Sequence, residues 1–419
     1  MSQSSTSPGQ VSVAQSTQFG SAVLPILLLF SFASSSLQQQ HSSGQSGAAP
    51  LLTPCYNGDA DRSREIPALL VASQNCTLEQ QGGIPYRLHT RRYPYCRRQC
   101  PVQMVPRGCS LSELSPSSLM RLLAGRRLVL WGDSVSRMHF DFLVRVFLHG
   151  CVQHRTQFAR RARSVALRTG FGSTGGLRGY SMRASANGAG GTVLRKTRAC
   201  RPLPAEERGA PSCVKISSCT GERSPAAVEI CYVHSFREAL SPDSEGCLEY
   251  LKPTDVVVFN TGLHFQPNER GQYSRSLESL ASAWRRVQEE AVEKGRVAPL
   301  AIWRETSPQH FDSPGGEFAF RRVAQRGSYS CAAVKRSEAL QHNWRNRVAD
   351  GLLSGMPFLR VWSLSLDQPQ LHTQYRVKPG GEVYADCSHF CISERGIYFA
   401  WSTLLLNQLT SLLPTPSRQ

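Results

Sequence analysis

Two short stretches hold the residue types of an acyl-transfer centre: Arg127-Leu-Val-Leu-Trp-Gly-Asp-Ser-Val-Ser-Arg137 and Asp386-Cys-Ser-His389. Ser134 supplies a hydroxyl nucleophile and His389 a base. Asp386 supplies a carboxylate that fixes the imidazole tautomer and favours the imidazolium formed as the serine loses its proton. The stretches are far apart in the chain, so a fold must bring them together.

The elements around each stretch say how. Leu128 to Trp131 is a short apolar run of the kind found in a buried strand. Gly132 permits a sharp turn. From Ser134 onward, Met138, Phe142, Val146 and Phe147 recur near helical spacing, with Leu143 on a neighbouring face. Ser134 therefore falls where a strand hands over to a helix. Its hydroxyl then faces a cleft at the carboxyl end of a sheet, and its N–H lies near the positive end of a helix dipole. The plainer alternative is that Ser134 only caps the helix. In Asp386-x-x-His389 one tight turn can aim the carboxylate at the imidazole, or aim both side chains into the same cleft. Cys387 and Cys391 bracket His389 and are placed to pin the segment to the body. The plainer alternative is a surface pair beside a structural disulfide.

Between these stretches lies Asp255-Val-Val-Val-Phe-Asn-Thr-Gly-Leu-His-Phe265. Val256 to Phe259 is continuous apolar sequence, as in a strand buried on both faces. At its end the Asn260 amide can donate to an oxyanion and Gly262 lets backbone approach the reacting carbon, although Asn and Gly are also ordinary turn residues. A further run, Pro299 to Trp303, leads into the polar loop Arg304-Glu-Thr-Ser-Pro-Gln-His-Phe311. Arg137, His264 and Arg304 are the candidates for contact with substrate. Arg137 either faces the cleft or pairs with a buried carboxylate, and Arg304 is expected to hold donor or acceptor. His310 is read as structural, capping the Ser307-Pro308 turn. Gly315-Gly316 is read as giving its loop freedom to close. No phosphate-binding glycine loop, HExxH or paired CxxC spacing is present, so no metal site is expected.

Taken in order, Gly-Asp-Ser-Val-Ser-Arg, Val-Phe-Asn-Thr-Gly, Thr-Ser-Pro-Gln-His-Phe and Asp-Cys-Ser-His-Phe-Cys resemble the motifs of the trichome birefringence-like and PC-esterase families, relatives of the SGNH hydrolases. The resemblance covers roughly residues 90–410. It implies a three-layer α/β/α SGNH-hydrolase-like fold, with a mostly parallel central sheet and long loop insertions. It implies a triad at Ser134, His389 and Asp386. It implies O-acetylation of glycan or polysaccharide hydroxyls in the Golgi lumen, with some members acting as esterases. The acetyl donor would be acetyl-CoA or an acetylated intermediate, with no tightly bound cofactor. Leu263-His264-Phe265 replaces the family's paired tryptophans, and Ile392-Ser-Glu-Arg-Gly396 replaces its Leu-Pro-Gly continuation, which leaves the acceptor glycan open.

Bulk composition fits a secreted or luminal protein. The 14 cysteines are even in number, and Asn75-Cys76-Thr77 is a glycosylation sequon. The apolar run Ala22 to Phe32 suits a signal peptide better than a full membrane span, which takes about 20 residues. Extended to Leu37 it becomes a short type II anchor, although no Lys or Arg precedes Arg62 to orient it. Residues 1–37 are accordingly assigned as a signal peptide or type II membrane anchor, the resemblance favouring the anchor. Residues 38–53 are assigned as a Ser/Gln/Gly-rich stem, and residues 54–419 as one catalytic domain. The net charge of +18 is concentrated in arginine, and residues 151–215 read as a basic, low-complexity insertion with only Glu206 and Glu207 as acids. Phe158, Phe171 and Tyr180 are isolated there, without the aromatic interleaving of a single-strand binder, so nucleic acid is not the expected partner. The expected partner is a glycan acceptor. The expected activity is a serine-dependent glycan O-acetyltransferase. An acetylesterase on the same fold is the alternative enzyme, and a non-catalytic glycan-binding protein is the alternative of another class.

Overall fold

A computed structural model describes residues 68–72, 96, 102–106, 110–150, 194–197, 212–216, 227–237, 239–240, 248–318, 331–377, 383–393 and 395–413. The expected anchor and stem, the sequon and most of the 151–215 segment lie outside the described residues. Among the described residues, no helix is long and apolar enough to cross a membrane.

The strands are β1 (Ala68–Ala72), β2 (Val102–Pro106), β3 (Arg127–Gly132), β4 (Leu194–Thr197), β5 (Ser212–Ile216), β6 (Val228–His234), β7 (Val256–Phe259), β8 (Leu300–Arg304), β9 (Phe358–Leu359), β10 (His372–Val377) and β11 (Val383–Phe390). The helices are α1 (Pro116–Leu122), α2 (Ser134–Gly150), α3 (Arg270–Glu293), α4 (Arg336–His342), α5 (Trp344–Leu352), α6 (Trp362–Leu366) and α7 (Ile397–Leu412). Seven strands form the central sheet in the order β4-β5-β6-β3-β7-β8-β9. From β6 through β9 every pairing is parallel, and β4 and β5 add antiparallel pairings at one edge. The protein is thus α/β, with a mostly parallel sheet.

The apolar runs explain the burial. In β3, Leu128 and Leu130 point into one core with Val256, Val258 and Ile302, and α1, α2 and α7 cover that face. Val129 and Trp131 point into a second core with Val257, Phe259, Ala301 and Trp303, and α3 and α5 cover that face. A strand covered on both sides has no polar face, which is why these segments read as unbroken hydrophobic sequence. Each fully buried leucine contributes roughly 1.5–3 kcal/mol relative to exposure. At the opposite end of the sheet from the candidate site, buried Arg127 is ion-paired with buried Asp255, tying the start of β3 to the residue that precedes β7.

The chain leaves β3 and β7 toward opposite faces. Helix α2 follows β3 into the first core, and α3 follows β7 into the second. Adjacent parallel strands whose connections diverge in this way open a crevice at their carboxyl ends. Ser134 and Asn260 both lie at that crevice, one just past each strand.

Two expectations about the elements are corrected. The 151–215 segment is not wholly a loop insertion. Its C-terminal part supplies β4 and β5, and Cys213 of β5 is bridged to Cys231 of β6. And Asp386-x-x-His389 is not an isolated tight turn. It lies within β11, which pairs with β10 as a separate antiparallel hairpin outside the main sheet.

Candidate active site

The hairpin reaches the sheet through a register break. His372 pairs with Phe390, but Gln374 pairs with Asp386, so Thr373 alone faces Cys387, Ser388 and His389. Extra residues on one strand bend it and re-aim its side chains. Gln374 takes φ 61°, left-handed for a residue with a Cβ. Its amide holds that conformation by accepting from Cys331 N at 2.6 Å and donating to Pro369 O at 2.8 Å.

The bulge brings the three expected groups together. Ser134 Oγ is 2.6 Å from His389 Nε2. His389 Nδ1 is 2.9 Å from Asp386 Oδ1 and 3.1 Å from Oδ2. Asp386 Oδ1 also accepts from the Ser388 and His389 amides at 3.3 and 3.2 Å, which fixes the carboxylate against its own strand. Asp386 is 4 % exposed and His389 9 %, while Ser134 is partly open to solvent.

Ser134 opens α2 but is not its cap. Asp133 does that work, its Oδ1 accepting from Val135 N at 2.9 Å and Ser136 N at 3.4 Å. The hydroxyl of Ser134 is thereby left to meet the imidazole. Gly132 is required for a different reason: a Cβ there would stand 2.3 Å from Asn260 O, so only glycine lets β3 and the end of β7 come this close.

The sequence reading missed Arg376 on β10. Its Nε donates to Asp386 Oδ2, so it shares the carboxylate with the imidazole, and its Nη2 stands beside His389 Nδ1. Burial alone raises the Asp386 carboxyl, but the His389 and Arg376 charges and hydrogen bonds outweigh it and hold the group well below the usual carboxylate range. Nothing in the spacing of Arg376 marks it, because its distance to Asp386 depends on the hairpin register.

The remaining candidates divide. Asn260 is 3 % exposed, and its Nδ2 donates to Arg304 O at 2.9 Å while its Oδ1 accepts from Arg304 Nη2 at 2.6 Å. Gly262 has φ 125° and packs against Thr306 and Tyr273. Arg304 is not placed to hold a substrate. It is 1 % exposed, donates to Ser136 Oγ at 3.1 Å and stacks on Trp401 at 4.8 Å. Its long side chain runs back beneath the site, where it orients the Asn260 amide. Arg137 stands over the Tyr232 ring at 5.8 Å. His264 stacks on Phe236 with ring centroids 4.1 Å apart. Burial lowers the pKa of His264, which also feels the charges of Asp133 and His389.

The loop after β8 is a buried strut. Residues 304–311 are buried throughout. His310 N donates to Cys387 O at 3.1 Å, and Gln309 Nε2 donates to Ser388 Oγ at 2.6 Å, so the strut props the bulge that carries His389. His310 does not cap the Ser307-Pro308 turn. Its ring lies 2.7 Å from both Leu366 O and His372 Nε2. Gly315 and Gly316, with φ 64° and 74°, are places where packing and backbone both call for glycine. A Cβ on Gly315 would meet the His342 ring at 2.2 Å, and one on Gly316 would meet Gln309 O at 2.2 Å. Two disulfides flank the base, Cys331–Cys387 and Cys96–Cys391. Cys387 and Cys391 pin the segment as their spacing suggested.

Among the described residues, no group of His, Cys, Asp and Glu is arranged to hold a metal ion. No protein-family model matches this chain, and no curated protein matches it.

Proposed function

We propose that this protein is a serine-dependent O-acetyltransferase acting on glycan hydroxyls, with an SGNH-hydrolase-like three-layer α/β/α architecture. One observation carries the reading: Ser134 Oγ, His389 and Asp386 form a continuous hydrogen-bonded relay at the carboxyl end of a parallel sheet. The motif resemblance supplies the acetyl group and the glycan.

In this reading His389 Nε2 takes the proton of Ser134 as its oxygen attacks the carbonyl carbon of the acetyl donor. Asp386 accepts from Nδ1–H and stabilises the imidazolium. The oxyanion lies against the N–H of Ser134 at the start of α2 and the second N–H of the Asn260 amide, whose first is committed to Arg304 O. Gly262 keeps that side of the crevice free of side chain. The tetrahedral intermediate collapses, the leaving group takes the proton from His389, and an acetyl-serine remains. A sugar hydroxyl then gives its proton to His389 and attacks the ester, releasing Ser134 and the acetylated glycan. The disulfides that flank His389 support an oxidising compartment, read as the Golgi lumen behind a type II anchor, or the secreted state.

Ser134 is partly exposed, which favours acetylesterase activity as a second reading, because water then reaches the acyl-enzyme. The test is acetyl transfer from a chromogenic acetyl ester to a panel of oligosaccharides. Ser134→Ala is expected to lower turnover by about 10³-fold or more with the fold intact. Near-normal rates in a folded Ser134→Ala variant would overturn the mechanism. Release of acetate alone, across a broad acceptor panel, would replace transferase with esterase.

A further inference from the structure

Phe236 is 56 % exposed. Single exposed apolar residues are ordinary on protein surfaces. This one is set apart by its place. It follows β6, and the preceding residue, Ser235, donates its N–H to Gly132 O at 2.8 Å, two residues before Ser134. Phe236 is therefore built into the rim of the crevice on the β6 side. His264, beyond Gly262 on the β7 side, lies parallel to it, with ring centroids 4.1 Å apart and planes 28° from each other. The stack thus joins the two loops that flank the reacting serine.

A second, independent observation sits in the same stack. His264 Nε2 is buried with no protein partner. Of its neighbours, His234 faces the Tyr232 hydroxyl at 2.7 Å and Thr261 Oγ1 donates to Arg237 O at 2.6 Å, whereas Asp133 Oδ2 and Arg237 Nε are, like His264 Nε2, buried without a protein partner. A buried polar atom without a partner costs stability, and such atoms persist where a ligand or water meets them.

We infer that the Phe236–His264 stack is the acceptor platform, and that it takes a pyranose ring with its apolar C–H face on Phe236. This rests on the O-acetyltransferase reading and names the chemistry of its acceptor. Pyranose C–H groups carry slight positive charge, and the face of an aromatic ring carries negative charge, so the two attract where water is also displaced from an apolar surface. A ring so seated lies at the crevice that holds Ser134, and His264 behind Phe236 holds a polar atom still to be matched. The neutral form favoured by burial lets His264 either donate or accept toward a hydroxyl.

The test is binding, so that it stands apart from turnover. In a Ser134→Ala background, dissociation constants for neutral pyranose tetrasaccharides are measured by calorimetry or ligand-observed NMR. Phe236→Ala is expected to weaken binding about tenfold, and Phe236→Trp to retain it. Val292→Ala, an exposed apolar position on α3, serves as the control and is expected to change nothing. In the enzyme with Ser134 intact, Phe236→Ala should raise acceptor KM by a similar factor while kcat at saturating acceptor falls less than about threefold, a split that a folding defect does not produce. Unchanged affinity in Phe236→Ala, or no tetrasaccharide binding at all, overturns the platform. Either result is distinct from full activity in Ser134→Ala, which overturns the parent reading instead.

Discussion

Asp133 and Ser134 divide two tasks that a lone serine would have to share. The aspartate caps α2 and the serine faces the base. Asp386 is divided in the opposite sense, one carboxylate serving both His389 and Arg376. Asp386→Asn should lower kcat by about 10³–10⁴-fold, since the amide no longer fixes the reactive tautomer. The arginine matters to stability. Because the folded-state pKa of Asp386 lies below its unfolded value, its contribution is present above about pH 3.9 and lost as pH falls through the folded value. Arg376→Leu removes one of the charges that depress it. The variant should be less stable than the parent by about 1.5–3 kcal/mol at neutral pH, with the gap closing in acid, as read from denaturant midpoints at several pH values.

At the scale of elements, β3, β7, β8 and the start of α2 were legible because double-sided burial writes unbroken apolar runs. Ser134, Asn260 and Gly262 were legible because each follows such a run. The hairpin was not. Burial in β11 does not alternate, its polar residues serve the site, and its bulge breaks the period on which strand recognition depends. Arg376 and Phe236 were missed for the same reason: each matters through a neighbour that only the folded register supplies. Arg304 was misplaced because its sequence position at a strand end says nothing of the direction in which a long side chain runs. Since the hairpin stands outside the sheet, its attachment is testable by itself. Cys387→Ser, which also frees Cys331, should cost about 2–4 kcal/mol and reduce kcat. Far-UV circular dichroism should show the sheet retained. Full activity in the variant would mean that the strut, the Cys96–Cys391 bridge and the side chains around His389 position it without the Cys331–Cys387 bridge.

At the scale of the whole molecule, three buried histidines among the described residues lie outside the relay: His139, His310 and His372. Burial lowers the pKa of His139, with Arg304 adding to it, and lowers those of His310 and His372, with His310 also depressing His372. His139 Nε2 lies 2.8 Å from Ser402 Oγ on α7, and His310 and His372 join the strut to the hairpin. The folded protein keeps these imidazoles neutral, whereas the unfolded chain protonates them near about pH 6.5. Stability is therefore unaffected by them above that pH and falls as pH drops below it, by at most about 1.4 kcal/mol per group per pH unit. The thermal midpoint should fall by about 5 °C or more between pH 7.5 and 5.5. A flat profile over that range would show that the three sites admit protons without loss of packing.

The serine and its base are 255 residues apart in the chain, and the base rides on a hairpin flanked by two long-range bridges, one reaching back to Cys96. A nascent polypeptide that has completed β3, β7 and β8 already displays Ser134, yet owns nothing to deprotonate it. The Ser134–His389 pair is complete only when the late hairpin docks. In the proposed mechanism biogenesis and chemical competence are thereby coupled: a chain that has not yet docked its hairpin would hold the nucleophile without the base, and would gain the pair only by finishing its own folding.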